Sequence, residues 1–315
     1  MSSAQSQVES YVRPERIPER LKRLAPGTVL SHSGLEFECD GYLEDSEWGV
    51  FDLTHRVYVH HTYDNFIPLI SSKDVSILVT RFGKLPLFFQ VMTTRIARGL
   101  YYQSFSVFGI LYCHQTVRLK QEGEKTRVNV DWYLVSHWLF KFLHVPFNRR
   151  LRKLQLIQYG EDAPLRERRL ELRKRGLTFI TDSPDFLNAN DLSDHVLLPP
   201  QAWPLRAKLP KIAVGQTAHA QIGPFELLLR RDADGLMAWP GLCPHEGAKL
   251  DASHVCDDQL SCPWHGRKFR PAKLRPGGDG VLRYLGLTIR WQDDELVATP
   301  EERSAAPLRP LQSAS

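Results

Sequence analysis

Four metal-ligating side chains in two short runs constrain the fold of this chain more than any other feature of its sequence. Cys243 and His245 lie in the run Cys-Pro-His, and Cys262 and His265 lie in the run Cys-Pro-Trp-His-Gly. Each run offers one thiolate and one imidazole, so two separate loops must bring their ligands to a common point. Zinc sites usually take both cysteines from one tight turn and both histidines from a helix, and this spacing provides neither arrangement.

A Rieske [2Fe-2S] cluster requires this distribution of ligands. Two cysteines hold one of its irons, two histidines hold the other, and each loop contributes one of each. The flanking sequences PHEGAKL and CPWHG also resemble the Rieske domains of ring-hydroxylating oxygenases and of their ferredoxins. The sequence therefore predicts a [2Fe-2S] cluster with the ligands Cys243, His245, Cys262 and His265.

The regions around this motif predict how the second half of the chain is organised. Residues 206–300 contain short runs of strand-forming residues separated by turns such as DADG and GGDG, which is typical of an all-β domain. Residues 178–205 carry several prolines and no sustained periodicity, as a linker does. Residues 301–315 have the composition of a disordered tail.

The first half of the chain predicts a different domain over residues 35–177, preceded by an N-terminal extension at 1–34. Strand-like runs such as VSILVT and TRVNVDWYLV are followed, after Pro146, by a Leu-, Arg- and Glu-rich helix that Pro164 interrupts and Gly176 ends. This order resembles the helix-grip (START or Bet v 1-like) fold. The predicted fold class is α+β: a helix-grip antiparallel sheet with a long C-terminal helix, followed by an all-β Rieske iron-sulfur domain.

A second metal site is suggested by the sequence DLTHRVYVH, which contains Asp52, His55 and His60. It is similar to the iron-binding stretch of Rieske non-haem oxygenases, especially the steroid ring-hydroxylase and cholesterol-desaturase branch. In that branch two histidines and a later carboxylate bind Fe(II) and leave open positions for dioxygen. The resemblance implies that His55, His60 and Asp162 bind a mononuclear Fe(II). It also implies that Asp52 links this iron to a cluster histidine of a neighbouring subunit.

The resemblance has two departures from the family pattern. Gly49 stands where an asparagine is usual, and the Rieske domain follows the catalytic domain instead of preceding it. The run is also compatible with a half-buried strand, because apolar and polar residues alternate over 51–60. In a strand His55 and His60 face opposite ways, and a regular helix leaves their rings about 140° apart. A shared metal therefore requires a distorted or terminating helix.

Two hypotheses on function follow. In the first, the chain is a Rieske-type oxygenase that receives electrons from a ferredoxin or an NAD(P)H-dependent reductase and uses O2 to hydroxylate or desaturate an apolar ring or lipid-like substrate. Transfer between subunits would then require a ring, and a homotrimer is expected. In the second, the chain is a non-catalytic Rieske ferredoxin-like electron-transfer protein fused to a START-like domain for a hydrophobic ligand. Aromatic residues supply a candidate cavity lining in either case: Phe88, Phe89, Tyr101, Tyr102, Phe105, Phe108, Trp132, Tyr133 and Trp138.

Composition narrows the classes of partner and compartment. The net charge of +5 is too small to indicate nucleic-acid binding. The basic residues concentrated in 149–175 predict a solvated helix face, or alternatively a docking surface for an acidic redox partner. No apolar run is long enough for a transmembrane segment, and the first residues do not resemble a secretory signal, so a cytoplasmic protein is expected. His61, His114, His137 and His144 are reserve metal-ligand candidates.

Overall fold

The computed structural model describes residues 27–60, 66–72, 74–81, 88–183 and 193–301, together with Arg20 and Arg23. Backbone contacts divide the chain into two units. The first comprises residues 1–195 and 263–266, and the second comprises residues 196–262 and 267–315. Within the described ranges, no helix is both long and apolar enough to cross a membrane.

An antiparallel sheet of seven strands forms most of the first unit. Its spatial order is β1-β7-β6-β5-β4-β3-β2. The strands are β1 (Thr28–Asp40), β2 (Phe66–Ser71), β3 (Val75–Arg81), β4 (Phe88–Ala97), β5 (Leu100–Val107), β6 (Leu111–Glu122) and β7 (Lys125–His137). Strand β1 pairs with β7 over its whole length. The sheet therefore begins at Thr28, within the range that the sequence pattern assigned to the extension.

Four helices complete this sheet. Helices α1 (Leu43–Phe51) and α2 (Arg56–Val59) lie between β1 and β2, and a 3-10 helix (Trp138–Leu143) leads from β7 into α3 (His144–Glu161) and α4 (Ala163–Lys174). A seven-stranded antiparallel sheet followed by a long helix is the helix-grip arrangement, so the predicted fold class is confirmed. The strand interpretation of residues 51–60 is wrong, because these residues include the end of α1 and the whole of α2.

The core of the first unit lies between one face of the sheet and α3. Alternate side chains of β6 and β7 are buried there, and α3 contributes Leu151. Trp132, which is fully buried on β7, donates a hydrogen bond from Nε1 to Oδ1 of Asn148 at 2.7 Å. This bond satisfies the only polar atom of the indole ring and helps to fix α3 against the sheet.

Asp162 lies at the junction of α3 and α4. Its N–H donates to the carbonyl of Gln158 at 3.0 Å, and its own carbonyl accepts hydrogen bonds from the N–H groups of Leu165 and Arg166 at 3.2 Å. Pro164 has no N–H to continue the hydrogen-bond ladder of α3, so the helix is interrupted at this point, as the sequence predicts. The interruption leaves Asp162 between two helices.

Three arginines of α4 are buried, so the prediction of a solvated face or docking surface is wrong for them. The basic residues Arg149, Arg150, Arg152, Lys153 and Lys174 are exposed, as that prediction requires. Arg166, Arg168 and Arg169 are at most 9% exposed. Arg169 Nε donates to Asp45 Oδ1 of α1 at 2.7 Å, and Arg173 Nη2 donates to the same oxygen at 2.7 Å. Sequence periodicity cannot distinguish this arrangement from a surface helix, because the acidic partner is more than 100 residues away along the chain.

A second carboxylate completes this ion-pair cluster. Arg173 donates to both oxygens of Asp182, at 2.7 and 2.6 Å. Burial acts to raise the pKa of Asp45, but Arg169 and Arg173 outweigh it and hold the pKa below the usual 3.8. The Arg169 guanidinium also stacks 3.7 Å from the ring centre of Phe179. These contacts join α1 to α4 through charges that are removed from water.

The second unit is all-β. Its sheets have the orders β10-β20-β19-β18, β11-β12-β13-β17 and β14-β15-β16. After β8 (Thr178–Phe179) in the first unit, the strands are β9 (Val196–Leu197), β10 (Leu205–Lys208), β11 (Thr217–Ile222), β12 (Phe225–Asp232), β13 (Gly235–Pro240), β14 (Val255–Cys256), β15 (Gln259–Ser261), β16 (Lys268–Phe269), β17 (Ala272–Leu274), β18 (Leu282–Tyr284), β19 (Leu287–Gln292) and β20 (Glu295–Pro300). Short 3-10 helices occur at Ile180–Asp182, Ala252–His254 and Pro276–Gly278.

Removing the central carboxylate of the ion-pair cluster should destabilise the first unit strongly. Asp45→Ala removes the carboxylate nearest to the buried charge of Arg169, whose remaining carboxylate contact, Asp182 Oδ1, is longer at 3.5 Å, and we expect the free energy of unfolding to fall by about 3 to 5 kcal/mol. Urea denaturation followed by circular dichroism at neutral pH measures this loss.

The matched control is Arg206→Ala, which breaks an exposed ion pair with Glu295 in the second unit. Exposed pairs contribute little to stability, so this variant should unfold close to the wild type. If Asp45→Ala were as stable as Arg206→Ala, the buried cluster would not hold α1 against α4.

Candidate metal centres

Asp52 connects helices α1 and α2 and uses its two carboxylate oxygens differently. Oδ1 accepts hydrogen bonds from the N–H groups of Thr54 at 2.9 Å and His55 at 3.3 Å. These N–H groups belong to the turn that precedes α2, and an aspartate two or three residues earlier accepts hydrogen bonds from them. The first oxygen thus shapes the chain entering α2, while the second remains available for side chains.

The histidines at the two ends of α2 face the same region. His55 precedes the helix in a helical conformation, whereas His60 follows it with extended backbone (φ −89°, ψ 103°). Because the helix ends at Val59, His60 leaves the regular helical spiral, and the ring centroids of the two histidines lie 5.3 Å apart. This is the terminating helix that a shared metal requires.

His55, His60 and Asp162 converge. Asp162 Oδ1 lies 3.4 Å from His55 Nε2 and 3.3 Å from His60 Nε2. The three ligating atoms all lie within 4.8 Å of one another. Two imidazoles and one carboxylate are the ligand set of non-haem Fe(II) sites with open positions.

The unsatisfied polar atoms at this point test whether a cation fits. His55 Nε2 and Asp162 Oδ1 are buried, and neither makes a hydrogen bond of normal geometry with the described residues. Buried polar atoms without such partners are costly, and a bound cation would satisfy them. The donor set and its buried, unsatisfied atoms therefore fit a divalent transition metal.

Each histidine has a carboxylate beside its other ring nitrogen: Glu161 is hydrogen-bonded to His60, whereas Asp52 lies within ion-pair distance of His55 without a hydrogen bond of normal geometry. Asp52 Oδ2 lies 3.5 Å from His55 Nδ1, and Glu161 Oε2 lies 2.9 Å from His60 Nδ1. Carboxylates in this position fix the tautomer and the ring orientation of metal-binding histidines. Glu161 directly precedes Asp162 in the sequence and had no predicted role; an acidic residue next to a candidate ligand is the signal that could have identified it.

Burial and charge shift the ionisation of these groups in different directions. Burial lowers the pKa of His60, which favours the neutral imidazole needed for metal binding. Burial also acts to lower the pKa of His55, but the carboxylates of Asp162 and Asp52 outweigh burial and raise this pKa. Burial acts to raise the pKa of Asp162, yet His55, His60 and Arg166 hold it below the ordinary value.

The second oxygen of Asp52 also contacts a predicted cluster ligand. His265 belongs to the segment 263–266 of the first unit, and its Nε2 lies 2.6 Å from Asp52 Oδ2, with both side chains removed from solvent. Burial acts to raise the pKa of Asp52, but His265 and His55 hold it well below 3.8. Because Nε2 contacts Asp52, a metal ligated by His265 would be bound through Nδ1. The resemblance implied a link between subunits, whereas here both residues belong to one chain.

Aromatic packing surrounds this link. The Trp48 ring of α1 lies 5.6 Å from the His55 ring and 6.3 Å from the His265 ring, measured between centroids. Gly266 has a left-handed backbone (φ +64°), and a Cβ built there would lie 2.5 Å from the Tyr58 hydroxyl oxygen. A glycine is therefore needed for the segment to approach α2 this closely. Sequence reasoning assigned no role to Trp48 or Tyr58.

The other three predicted cluster ligands lie in the second unit. Cys243, His245 and Cys262 are all buried. Burial and the neighbouring Cys262 thiol raise the pKa of Cys243 well above its ordinary value. No cysteine of the chain forms a disulfide. A buried thiol that resists ionisation beside a second buried cysteine fits a metal ligand, because a bound metal deprotonates it and stabilises the thiolate.

Comparison with protein families decides the nature of this region. Residues 202–276, which include all four predicted ligands, match the model of the Rieske [2Fe-2S] domain. These residues form a Rieske [2Fe-2S] domain. Such a domain supports a [2Fe-2S] cluster and electron transfer. Comparison with curated proteins finds no match.

Solved structures resemble the first unit at low sequence identity. Norcoclaurine synthase from Thalictrum flavum is 13% identical, covers 42% of this chain and 87% of its own, and has a TM-score of 0.35. The Zhui aromatase/cyclase from Streptomyces sp. R1128 is 9% identical, covers 45% of this chain and 96% of its own, and has a TM-score of 0.37. At these values the fold assignment rests on the strand order and the long helix described above.

A cavity of about 170 Å³ lies beside the three converging residues, and His60 and Asp162 form part of its wall. Among the predicted aromatic lining residues, only Phe89, Tyr101 and Phe105 contribute to the wall, joined by Phe147 of α3. The others do not, because they are exposed or lie elsewhere in the core: Phe88, Tyr102, Phe108, Trp132, Tyr133 and Trp138. Strand alternation decides which aromatic residues face inward.

The reserve histidines do not join the converging ligands. His114 is buried on β6 against Tyr102, His144 Nε2 bonds to the Ser136 hydroxyl, and His137 stacks beside Trp138. His61 lies outside the described residues. Burial lowers the pKa of His114 to about 4.

Acid should destabilise the protein in part through His114. Its folded pKa of about 4 lies below the 6.5 of an exposed histidine, so the unfolded chain takes up the proton first as the pH falls. The loss of stability caused by His114 is absent above pH 6.5 and increases as the pH falls to about 4. We expect His114→Gln to remove about 2 kcal/mol of the stability loss between pH 7.5 and pH 5. Urea denaturation of both proteins at the two pH values measures the difference, and equal losses would contradict the prediction.

Proposed function

We propose that this chain is a Rieske-type oxygenase. A [2Fe-2S] cluster on Cys243, His245, Cys262 and His265 feeds electrons to a mononuclear Fe(II) on His55, His60 and Asp162. Dioxygen activated at that site hydroxylates or desaturates an apolar ring or lipid-like substrate held in the neighbouring cavity. The electrons enter from a ferredoxin or an NAD(P)H-dependent reductase.

The observation that carries the proposal is the meeting of three ligating atoms at the wall of a cavity. His55 Nε2, His60 Nε2 and Asp162 Oδ1 come from two separate parts of the chain and lie within 4.8 Å of one another. A purely electron-carrying protein has no use for such a group beside a ligand-sized space. The carboxylates of Asp52 and Glu161 on the far sides of the two histidines further support a metal-binding role.

When bound, the cluster supplies single electrons and the Fe(II) ion activates dioxygen. The chain supplies the side chains that surround the proposed mononuclear site. Glu161 and Asp52 hold the two imidazoles in the orientation that presents Nε2 to the common point. Tyr101 and Tyr159, whose hydroxyls lie 3.2 Å apart in the cavity wall, stay protonated because burial raises the pKa of both.

Asp52 is the residue through which the two ligand sets communicate in this proposal. Its Oδ2 lies 2.6 Å from His265 Nε2 and 3.5 Å from His55 Nδ1. One buried carboxylate therefore touches a ligand of each proposed site. The homotrimer expected from the sequence was required by transfer between subunits. Since Asp52 and His265 meet within one chain, the proposed electron path does not need a partner subunit.

Iron counting tests the proposal. We expect the protein, purified without oxygen and reconstituted with Fe(II) and sulfide, to contain about three irons and two sulfides per chain. The double variant His55→Ala/His60→Ala should retain about two irons and two sulfides, because only the mononuclear site loses its ligands. Colorimetric iron and acid-labile sulfide assays measure both numbers.

A matched control removes two histidines elsewhere. His32→Ala/His219→Ala changes two exposed histidines that lie outside both ligand sets and should keep about three irons. Two irons in the wild type and in both variants would remove the oxygenase and leave an electron carrier with a ligand-binding domain.

Replacing Asp52 should change the cluster potential. The carboxylate beside His265 favours the more positively charged oxidised cluster, and Asp52→Asn removes that charge at nearly constant size. We expect the midpoint potential to rise by roughly 60 mV or more, a factor of about ten in the one-electron equilibrium. Spectroelectrochemical titration of the reconstituted protein measures the shift.

Glu161→Gln serves as the comparison for this titration. Glu161 contacts His60 and not His265, so its replacement should leave the cluster potential unchanged while weakening retention of the third iron. Equal potentials in the wild type and Asp52→Asn would show that Asp52 does not act on the cluster.

A further inference from the structure

One part of the cavity beside His60 and Asp162 is lined by aromatic rings, and other parts of its wall carry charged side chains, including Arg56, Arg81 and Arg150. Phe105 of β5 lies between two other rings of the wall, with centroids 5.7 Å from Phe89 and 6.2 Å from Phe147. The volume of about 170 Å³ is close to the roughly 150 Å³ of an apolar cavity that binds benzene. A compact molecule of one or two rings matches this space and its aromatic walls.

A row of polar side chains crosses the same interior. Thr93, Gln103 and Gln115 are neighbours on the adjacent strands β4, β5 and β6. Gln115 Nε2 donates to Gln103 Oε1 at 2.7 Å, and Gln103 Nε2 donates to Thr93 Oγ1 at 3.3 Å. Both glutamines belong to the cavity wall. Three adjoining polar groups in a protein interior are costly unless each is satisfied.

The row ends at Gln155 of α3, which also lines the cavity. Its Nε2 donates to Gln115 Oε1 at 3.2 Å. Gln155 is only 9% exposed, and its Oε1 accepts no hydrogen bond within the described part of the chain. An amide oxygen can accept two hydrogen bonds, so Oε1 has capacity for a donor from a ligand. The end of the glutamine row therefore offers an acceptor to whatever fills the cavity.

We infer that the cavity takes a compact ring compound carrying a hydroxyl or N–H group, which donates a hydrogen bond to Gln155 Oε1. The ligand is thus amphipathic, with its ring against the phenylalanines and its donor at the glutamine row. As a statement about the substrate this rests on the proposed function, because the cavity adjoins His60 and Asp162. As a statement about ligand binding it depends only on the cavity.

Three probes of matching shape test the inference: 2-naphthol, 2-methylnaphthalene and 2-methoxynaphthalene. Only the first can donate a hydrogen bond. We expect the reconstituted full-length protein, kept without oxygen so that no turnover occurs, to bind 2-naphthol about tenfold more tightly than 2-methylnaphthalene. The methoxy probe, which can only accept, should bind no better than the methyl probe. Isothermal titration calorimetry gives all three dissociation constants.

Gln155→Leu removes the acceptor at similar size and should bring the ratio of the naphthol and methyl dissociation constants close to one. The control Gln221→Leu makes the same chemical change at an exposed position of the second unit and should keep the wild-type ratio. Tight binding of 2-methylnaphthalene to Gln155→Leu would also verify that this variant retains its cavity. Equal binding of the three probes to the wild type, an unchanged ratio in Gln155→Leu, or no binding of any probe to the wild type would overturn the inference.

Iron analysis separates this inference from the proposed function. A naphthol preference that disappears in Gln155→Leu, in a protein with only two irons, would support the ligand site while removing the oxygenase. Three irons without a naphthol preference would support the oxygenase and overturn the inferred ligand site.

Discussion

The buried carboxylate of Asp52 is the interaction on which the arrangement of this site depends. One of its oxygens accepts hydrogen bonds from backbone N–H groups in the turn before α2, and the other lies against His265 and His55. A fully buried charge is tolerated only when it is surrounded by such partners. The same residue therefore shapes the turn before α2, the helix that His55 precedes and His60 follows, and contacts His265, a predicted ligand of the Rieske cluster. A substitution of Asp52 would therefore change both the backbone before α2 and the contacts with His265 and His55.

The ion-pair cluster of Asp45, Arg169, Arg173 and Asp182 also stabilises this arrangement. It joins α1, which ends at Asp52, to α4, which begins just after Asp162. Both sides of the candidate iron site are thus held by the same buried charges. Such clusters are expensive to bury and are strongly destabilised when one member is removed. What looks along the sequence like a solvated basic helix is part of the scaffold of the site.

The cavity wall combines aromatic rings with polar side chains, and the sequence pattern of a single strand does not reveal this combination. Alternation along β4, β5 and β6 directs Thr93, Gln103 and Gln115 to the same face as Phe89 and Phe105. Neither glutamine is distinguished by the sequence pattern of its own strand. Only their adjacency across the sheet, continued by Gln155 from the helix, makes them a connected polar row. This row gives the cavity a preferred direction for hydrogen bonding.

The sequence by itself determined features that depend on short stretches of chain. The cysteine and histidine spacing identified the Rieske domain, strand and helix periodicity predicted the helix-grip sheet, and Pro164 predicted the helix break beside Asp162. Only the tertiary structure decided between a strand and a terminating helix at 51–60, because apolar alternation fits both. It alone buried the arginines of α4 and brought Asp52 to His265 within one chain. These outcomes depend on partners more than 100 residues apart, which no local pattern encodes.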